Sequence, residues 1–150
     1  MIILGLDPGE STGTAVFDIP DIIKIIPIKG DLKKWLIYED ELKDWREIAS
    51  VVELYEPQVI VFEEFRLYAE KAQSKTRSDF PEVKIIGQIE MIAETNKIPT
   101  YKQSASIAKT FYTDAKLKQL NLWMRGERHA RDAIRHVLYF YDFNRKKVFK

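Results

Sequence analysis

A chain of 150 residues with no cysteine has room for one domain with a real core; it excludes disulfides, thiolate metal sites and two ordinary domains side by side. Apolar residues at 45% and charged residues at 31% match a soluble globular protein, and no run of about 18 uncharged apolar residues is present to span a membrane. Net charge is only +1 but polarised: residues 1–101 hold 12 Lys and Arg against 19 Asp and Glu, and residues 102–150 hold 12 against 4, which reads equally as a footprint for a polyanion or as a solvated C-terminal surface.

The opening, MIILGLDPGE, has no basic stretch ahead of its apolar run and reads as a first strand ending at Asp7, not as an export signal. With cysteine absent, a cytoplasmic location is expected. DPGESTG supplies a turn, and residues 14–19 (TAVFDI) and 22–28 (IIKIIPI) predict two more strands. The third belongs at a sheet edge, because Pro27 has no N–H for a central ladder. A helix is expected from about Tyr38 to Tyr55, where Leu42, Trp45, Ile48, Ala49, Val52 and Leu54 recur at near-helical spacing before Pro57 closes it. VIVFE (59–63) is a buried strand that again ends in an acid.

Residues 66–80 carry four basic side chains and little apolar periodicity, and read as a mobile loop or frayed helix. Val83, Ile86, Ile89, Ile92 and Ala93 predict a helix over 82–95, IPTYKQ (98–103) a strand, and Ser104 the cap of a short helix reaching about Tyr112. The last long helix runs from roughly Glu127 to Tyr141, with Ala130, Ala133, Ile134, Val137, Leu138 and Tyr141 on its core face. The pattern is an α/β domain with a mixed sheet over residues 1–143, then a basic tail, 144–150, expected to fray.

Asp7 and Glu63 end the two obvious core strands, where Ile or Val would pack better. A carboxylate buried there needs a partner or a metal. Parallel pairing would bring both to one sheet edge, where ligands bind in open α/β sheets. Asp132 borders the apolar stripe of the last helix, with His129 three residues earlier on nearly the same face. His129 is read as a ligand or proton carrier; His136, four residues beyond Asp132, is read mainly as a packed residue. Three carboxylates from two strand ends and a helix suit a hard divalent cation, and phosphodiester hydrolysis by two metals is the chemistry most in need of them.

ILGLDPGESTG (3–13), VIVFEEF (59–65) and HARDA (129–133) together resemble the RuvC-type Holliday junction resolvases of the ribonuclease H-like superfamily, over about residues 1–142. The resemblance implies a ribonuclease H-like fold, a mixed five-stranded sheet flanked by helices, working as a homodimer on four-way or branched DNA. It makes Asp7 the first-strand metal ligand, Glu63 the ligand ending the fourth strand with Glu64 as runner-up, and Asp132 the last-helix ligand. His129 then completes the metal shell or activates the nucleophile. Two Mg2+ per active site are implied, with Mn2+ as a substitute. Helix 82–95 is the candidate dimer surface. Tyr68 is the candidate junction wedge, an inexact match because Phe65 and Arg66 stand closer to the strand glutamate. Arg66, Lys71, Lys75, Arg77, Lys102, Lys109, Lys116 and Lys118 are candidate DNA contacts, Lys109 matching a functional lysine after the fifth strand. The compact chain and the EEF sequence point to a bacteriophage or prophage branch, hence to host-cell cytoplasm.

The expected activity is that of a crossover junction endodeoxyribonuclease in DNA recombination and repair, leaving 5′-phosphate and 3′-hydroxyl ends. A ribonuclease H-like enzyme acting on RNA or an RNA–DNA hybrid is the enzymatic alternative, and a non-catalytic branched-DNA-binding module the alternative of another class. Sugar kinase and actin-like ATPase folds need two such domains, and the GxxxxGK[ST] phosphate loop does not occur.

Overall fold

The computed structural model describes residues 1–66, 80–123 and 128–149. Strands β1 (Ile2–Asp7) and β2 (Thr12–Asp18) form an antiparallel hairpin that sets Asp7 opposite Gly13. β3 (Leu36–Leu42) adds to β2 antiparallel; β4 (Val59–Glu63) lies parallel to β1, and β5 (Thr100–Gln103) parallel to β4. The order β3-β2-β1-β4-β5 is the expected mixed five-stranded sheet.

Two elements differ from the sequence reading. The apolar run at 22–28 is not a strand: Ile22, Ile25 and Ile28 are exposed in a loop, and the edge strand is the acid-rich LIYEDEL instead. An edge strand with one solvated face tolerates those charges. The helix expected from Tyr38 starts at Trp45, because Asp44 caps it by accepting from the backbone N–H groups of Arg46 and Glu47. This helix, α1 (Trp45–Tyr55), ends at Glu56, which takes a left-handed conformation with φ 47°.

Among the described residues the remaining α-helices are α2 (Pro81–Thr95), α3 (Ala105–Phe111), the unanticipated α4 (Asp114–Gln119), α5 (Arg128–Tyr139) and, in the tail expected to fray, α6 (Arg145–Val148). A π-helical turn, Phe140–Asn144, links the last two. Period-two alternation divides the core. Leu4, Leu6, Val16, Ile60 and Phe62 pack under α1 and α2, whereas Ile3, Ala15, Phe17, Val59 and Val61 pack under α5. Among the described residues, no helix is long and apolar enough to cross a membrane.

The loop that replaces the expected third strand is held from the C-terminal side. Asp142 accepts from the Ile26 N–H at 2.7 Å and from the Tyr112 hydroxyl at 2.6 Å, while Arg145 donates to the carbonyls of Ile23 and Lys24. Asp142→Ala leaves a partly buried N–H and a mostly buried hydroxyl without their acceptor. It is expected to lower unfolding stability by about 1–3 kcal/mol, seen as a lower urea midpoint at unchanged slope. An unaltered midpoint would show that the loop is held by its apolar contacts alone.

Candidate active site

Strand parity decides which acids meet. On β1 the side chains of Ile3 and Asp7 point to the α5 face with Gly5 between them, and on β4 Val59, Val61 and Glu63 do the same. Leu6 pairs with Phe62 in parallel register, so Asp7 and Glu63 emerge side by side at the C-terminal edge. Glu64 falls on the opposite parity and binds Arg66 in an ion pair at 2.9 Å.

Helix α5 lies directly against the hairpin because two glycines let it in. A Cβ on Gly13 would lie 2.0 Å from the backbone carbon and oxygen of His129, and one on Gly5 would lie 2.6 Å from the Ala133 carbonyl oxygen. His129, Asp132 and His136 follow one another at i, i+3 and i+7, so all three fall on the helix face turned to the sheet. Glu41 on the edge strand accepts from the His129 backbone N–H at 3.1 Å, placing a negative charge near the N-terminal end of α5.

The polar contacts form a chain across this edge. His129 Nδ1 lies 2.8 Å from Asp7 Oδ2. Asp132 is gripped on both oxygens, by Lys109 Nζ at 2.9 Å and by Arg135 Nη1 at 2.6 Å. His136, completely buried, places Nε2 3.6 Å from Glu63 Oε2. Asp7, Glu63 and His136 each offer one donor atom, and the three atoms lie within 4.8 Å of one another. Burial, with the charges of Glu63 and Asp132 nearby, pushes the Asp7 carboxyl up from 3.8 to about 6, against the opposing hydrogen bond of His129. Burial also raises Glu63, but the His136 imidazole, a hydrogen bond from Asp7 and the Lys109 cation outweigh it and hold Glu63 below its usual value. For Lys109, pairing with Asp132 overcomes desolvation and raises the ammonium above its ordinary value.

Of the residues expected from sequence, Asp7, Glu63, His129, Asp132 and Lys109 come together here. Lys102 pairs with Glu90 on α2, Lys116 stacks 3.7 Å from the Phe111 ring centroid, and Lys118 lies 4.8 Å over Trp123. Tyr68, Lys71, Lys75 and Arg77 lie outside the described residues. Sequence reading passed over Arg128, Arg131 and Arg135, which with Lys109 and Trp123 line a cleft of about 370 Å³ beside Asp132. The basic half of the chain was the available signal. It also passed over Gln103, which is paired with Glu63 across the sheet and touches His136. No sequence pattern marks that contact.

A parallel strand pair ending in two carboxylates, crossed by a C-terminal helix carrying a third, is the arrangement of a ribonuclease H-like fold. Within that class the chain has the fold of the RuvC-type Holliday junction resolvases. Thermus thermophilus RuvC in complex with a Holliday junction substrate matches with a TM-score of 0.71 and 16% identity, over 97% of this chain and 96% of that one. Fowlpox virus resolvase, solved with substrate Holliday junction DNA, matches with a TM-score of 0.56 and 18% identity over 100% of both chains. No protein-family model and no curated protein matches the sequence.

Proposed function

We propose that this protein is a metal-dependent endonuclease that resolves Holliday junctions or other branched DNA, cutting phosphodiester bonds to leave 5′-phosphate and 3′-hydroxyl ends. The observation that carries this reading is the convergence of Asp7, Glu63 and His136 donor atoms within 4.8 Å at the sheet edge, with His129 bonded to Asp7 there. Its two carboxylates and buried, unpartnered donor atoms, Glu63 Oε2 and His136 Nε2, fit a divalent cation. Asp7 and Glu63 would hold it, and Asp132 would join them by exchanging Lys109 for the ion. Mg2+ is the proposed ion, two per active site, with Mn2+ as a substitute. Bound there, the metal would supply Lewis-acid activation of water and of the scissile phosphate.

The chain's own groups supply the rest. Asp7, when ionised, accepts from His129 Nδ1–H, which leaves His129 Nε2 as an acceptor able to take a proton from the attacking water. Lys109 and the arginines of the neighbouring cleft bind backbone phosphate and offset the charge that develops on it. The solved resolvases that share the fold were captured with junction DNA, which supports a branched substrate over an RNA–DNA hybrid. A homodimer is proposed through α2, whose exposed Val83 and Met91 flank Gly87 at four-residue spacing with open space above the glycine.

A labelled four-way junction, a linear duplex and an RNA–DNA hybrid, each incubated with Mg2+ or with EDTA, test the reading, with Asp132→Asn as control. Paired nicks across the junction are expected, dependent on metal and lost in the variant. Cleavage of the hybrid beside an intact junction would move the protein to another activity of the same fold. No metal-dependent cleavage of any substrate would overturn the enzyme reading.

A further inference from the structure

His136 was expected to be a packed helix residue, and its contacts say more. Gln103 Nε2 donates to the His136 backbone carbonyl at 3.3 Å, which fixes which end of the Gln103 amide is oxygen. Oε1 is then the atom 3.1 Å from His136 Nδ1, so Nδ1 carries the proton and donates to it. When the ring is neutral, its Nε2 lone pair faces Glu63 Oε2 at 3.6 Å, beyond hydrogen-bond range. Both atoms are buried and neither has a hydrogen-bond partner among the described residues. Two buried acceptors facing each other are stabilised by a positive charge between them, a proton or a metal ion. Two donors each about 2.1 Å from one ion sit roughly 3.0–3.4 Å apart at octahedral or tetrahedral angles, close to this separation.

We infer that His136 is a metal ligand, supplying imidazole nitrogen to a divalent cation that Asp7 and Glu63 hold through oxygen. Gln103 is the residue that orients it, in the way ligating histidines are commonly fixed by an acceptor on the other ring nitrogen. This rests on the metal-nuclease reading and changes it in one respect: one ion has a mixed nitrogen and oxygen shell and not carboxylates alone. Such a shell gains affinity from Mn2+ towards Co2+ relative to an all-oxygen site.

The chain has only two histidines, His129 and His136, which makes the test clean. Untagged full-length protein is loaded with Mn2+, and electron spin-echo modulation from ¹⁴N is recorded for the wild type, His129→Gln, His136→Asn and the double variant. Asparagine keeps a donor for Gln103 near the Nδ1 position while removing Nε2, and circular dichroism checks the fold. The expected result is imidazole ¹⁴N modulation that survives His129→Gln and vanishes in the double variant. Mn2+ affinity should fall by about 10-fold or more with His136→Asn. The inference is overturned if His136→Asn leaves the wild-type modulation unchanged, or if His129→Gln binds Mn2+ without ¹⁴N modulation. In either case Mn2+ still binds and the metal-nuclease reading stands. Failure of the wild type to bind Mn2+ at all would overturn both.

Discussion

Replacing Asp7 with asparagine is expected to abolish the proposed cleavage and yet to give a protein that resists unfolding better than the wild type when metal is withheld. Asp7 is buried beside Glu63 and Asp132, and its folded carboxyl titrates near about 6 against 3.8 for the free group. The folded state therefore holds this proton more tightly than the unfolded chain does. The stability it contributes is complete below about 3.8 and is lost as pH rises through about 6. At pH 8 the metal-free wild type bears that cost, on the order of 2–3 kcal/mol, while asparagine is neutral at every pH. Its amide oxygen can still accept from His129, and its N–H groups can donate to Glu63. Metal-free Tm should thus be about 5–10 °C higher for Asp7→Asn than for wild type at pH 8, with the gap closing towards pH 4. Adding Mg2+ should raise the wild-type Tm and leave the variant's unmoved. On the proposed reading Asp7 is a ligand of the metal that would activate water, and its loss would cost several kcal/mol in the transition state, so cleavage should drop by about 10³-fold or more. A variant that is less stable than wild type in EDTA at pH 8, or that still cuts, contradicts this account.

Gly13→Ala is the second large effect, and its cause is contact distance, not backbone freedom. The added methyl would sit 2.0 Å from both the carbonyl carbon and oxygen of His129 and 2.7 Å from the Ala130 nitrogen. All three are backbone atoms, so no side chain can swing aside. Restoring ordinary contact, about 3.5 Å between carbons, moves the start of α5 by roughly 1.5 Å. That shift breaks the His129 contacts to Asp7 and Glu41 and draws Asp132 away from Lys109. Overpacking of this kind costs about 1–3 kcal/mol, and a misplacement near 1 Å in a catalytic group costs about 10²-fold in rate. Urea denaturation and junction cleavage measure the two effects separately. Wild-type values in both would mean that α5 has slack the geometry does not show.

Much of this site was legible because it lies where local patterns are strongest. Asp7 and Glu63 interrupt the two most apolar runs in the chain, and only a parallel pairing was needed to bring them together. The choice between Glu63 and Glu64 was not legible. It depends on which face of β4 meets α5, and period two gives the alternation without its phase. His129 stood out because it accompanies Asp132 in a recognisable segment. The contacts of His136 depend on a partner 33 residues away, Gln103, on the far side of the strand order. The misplaced third strand has a related cause. IIKIIPI has strand-like composition, but it is tied down by Asp142 and Arg145 from the other end of the chain, and LIYEDEL pairs in its place despite its charges.

The contact between His129 and Asp7 spans 122 positions of sequence, joining the first strand to the last long helix. During synthesis the carboxylates of β1 and β4 leave the ribosome well before the helix that covers them. Until residues 129–136 have emerged and docked on Gly5 and Gly13, the nascent chain has two acidic strand ends and no assembled candidate site. On the proposed nuclease reading, this order of elements postpones cutting until the last long helix has docked, and a chain released before that would leave the DNA around it intact.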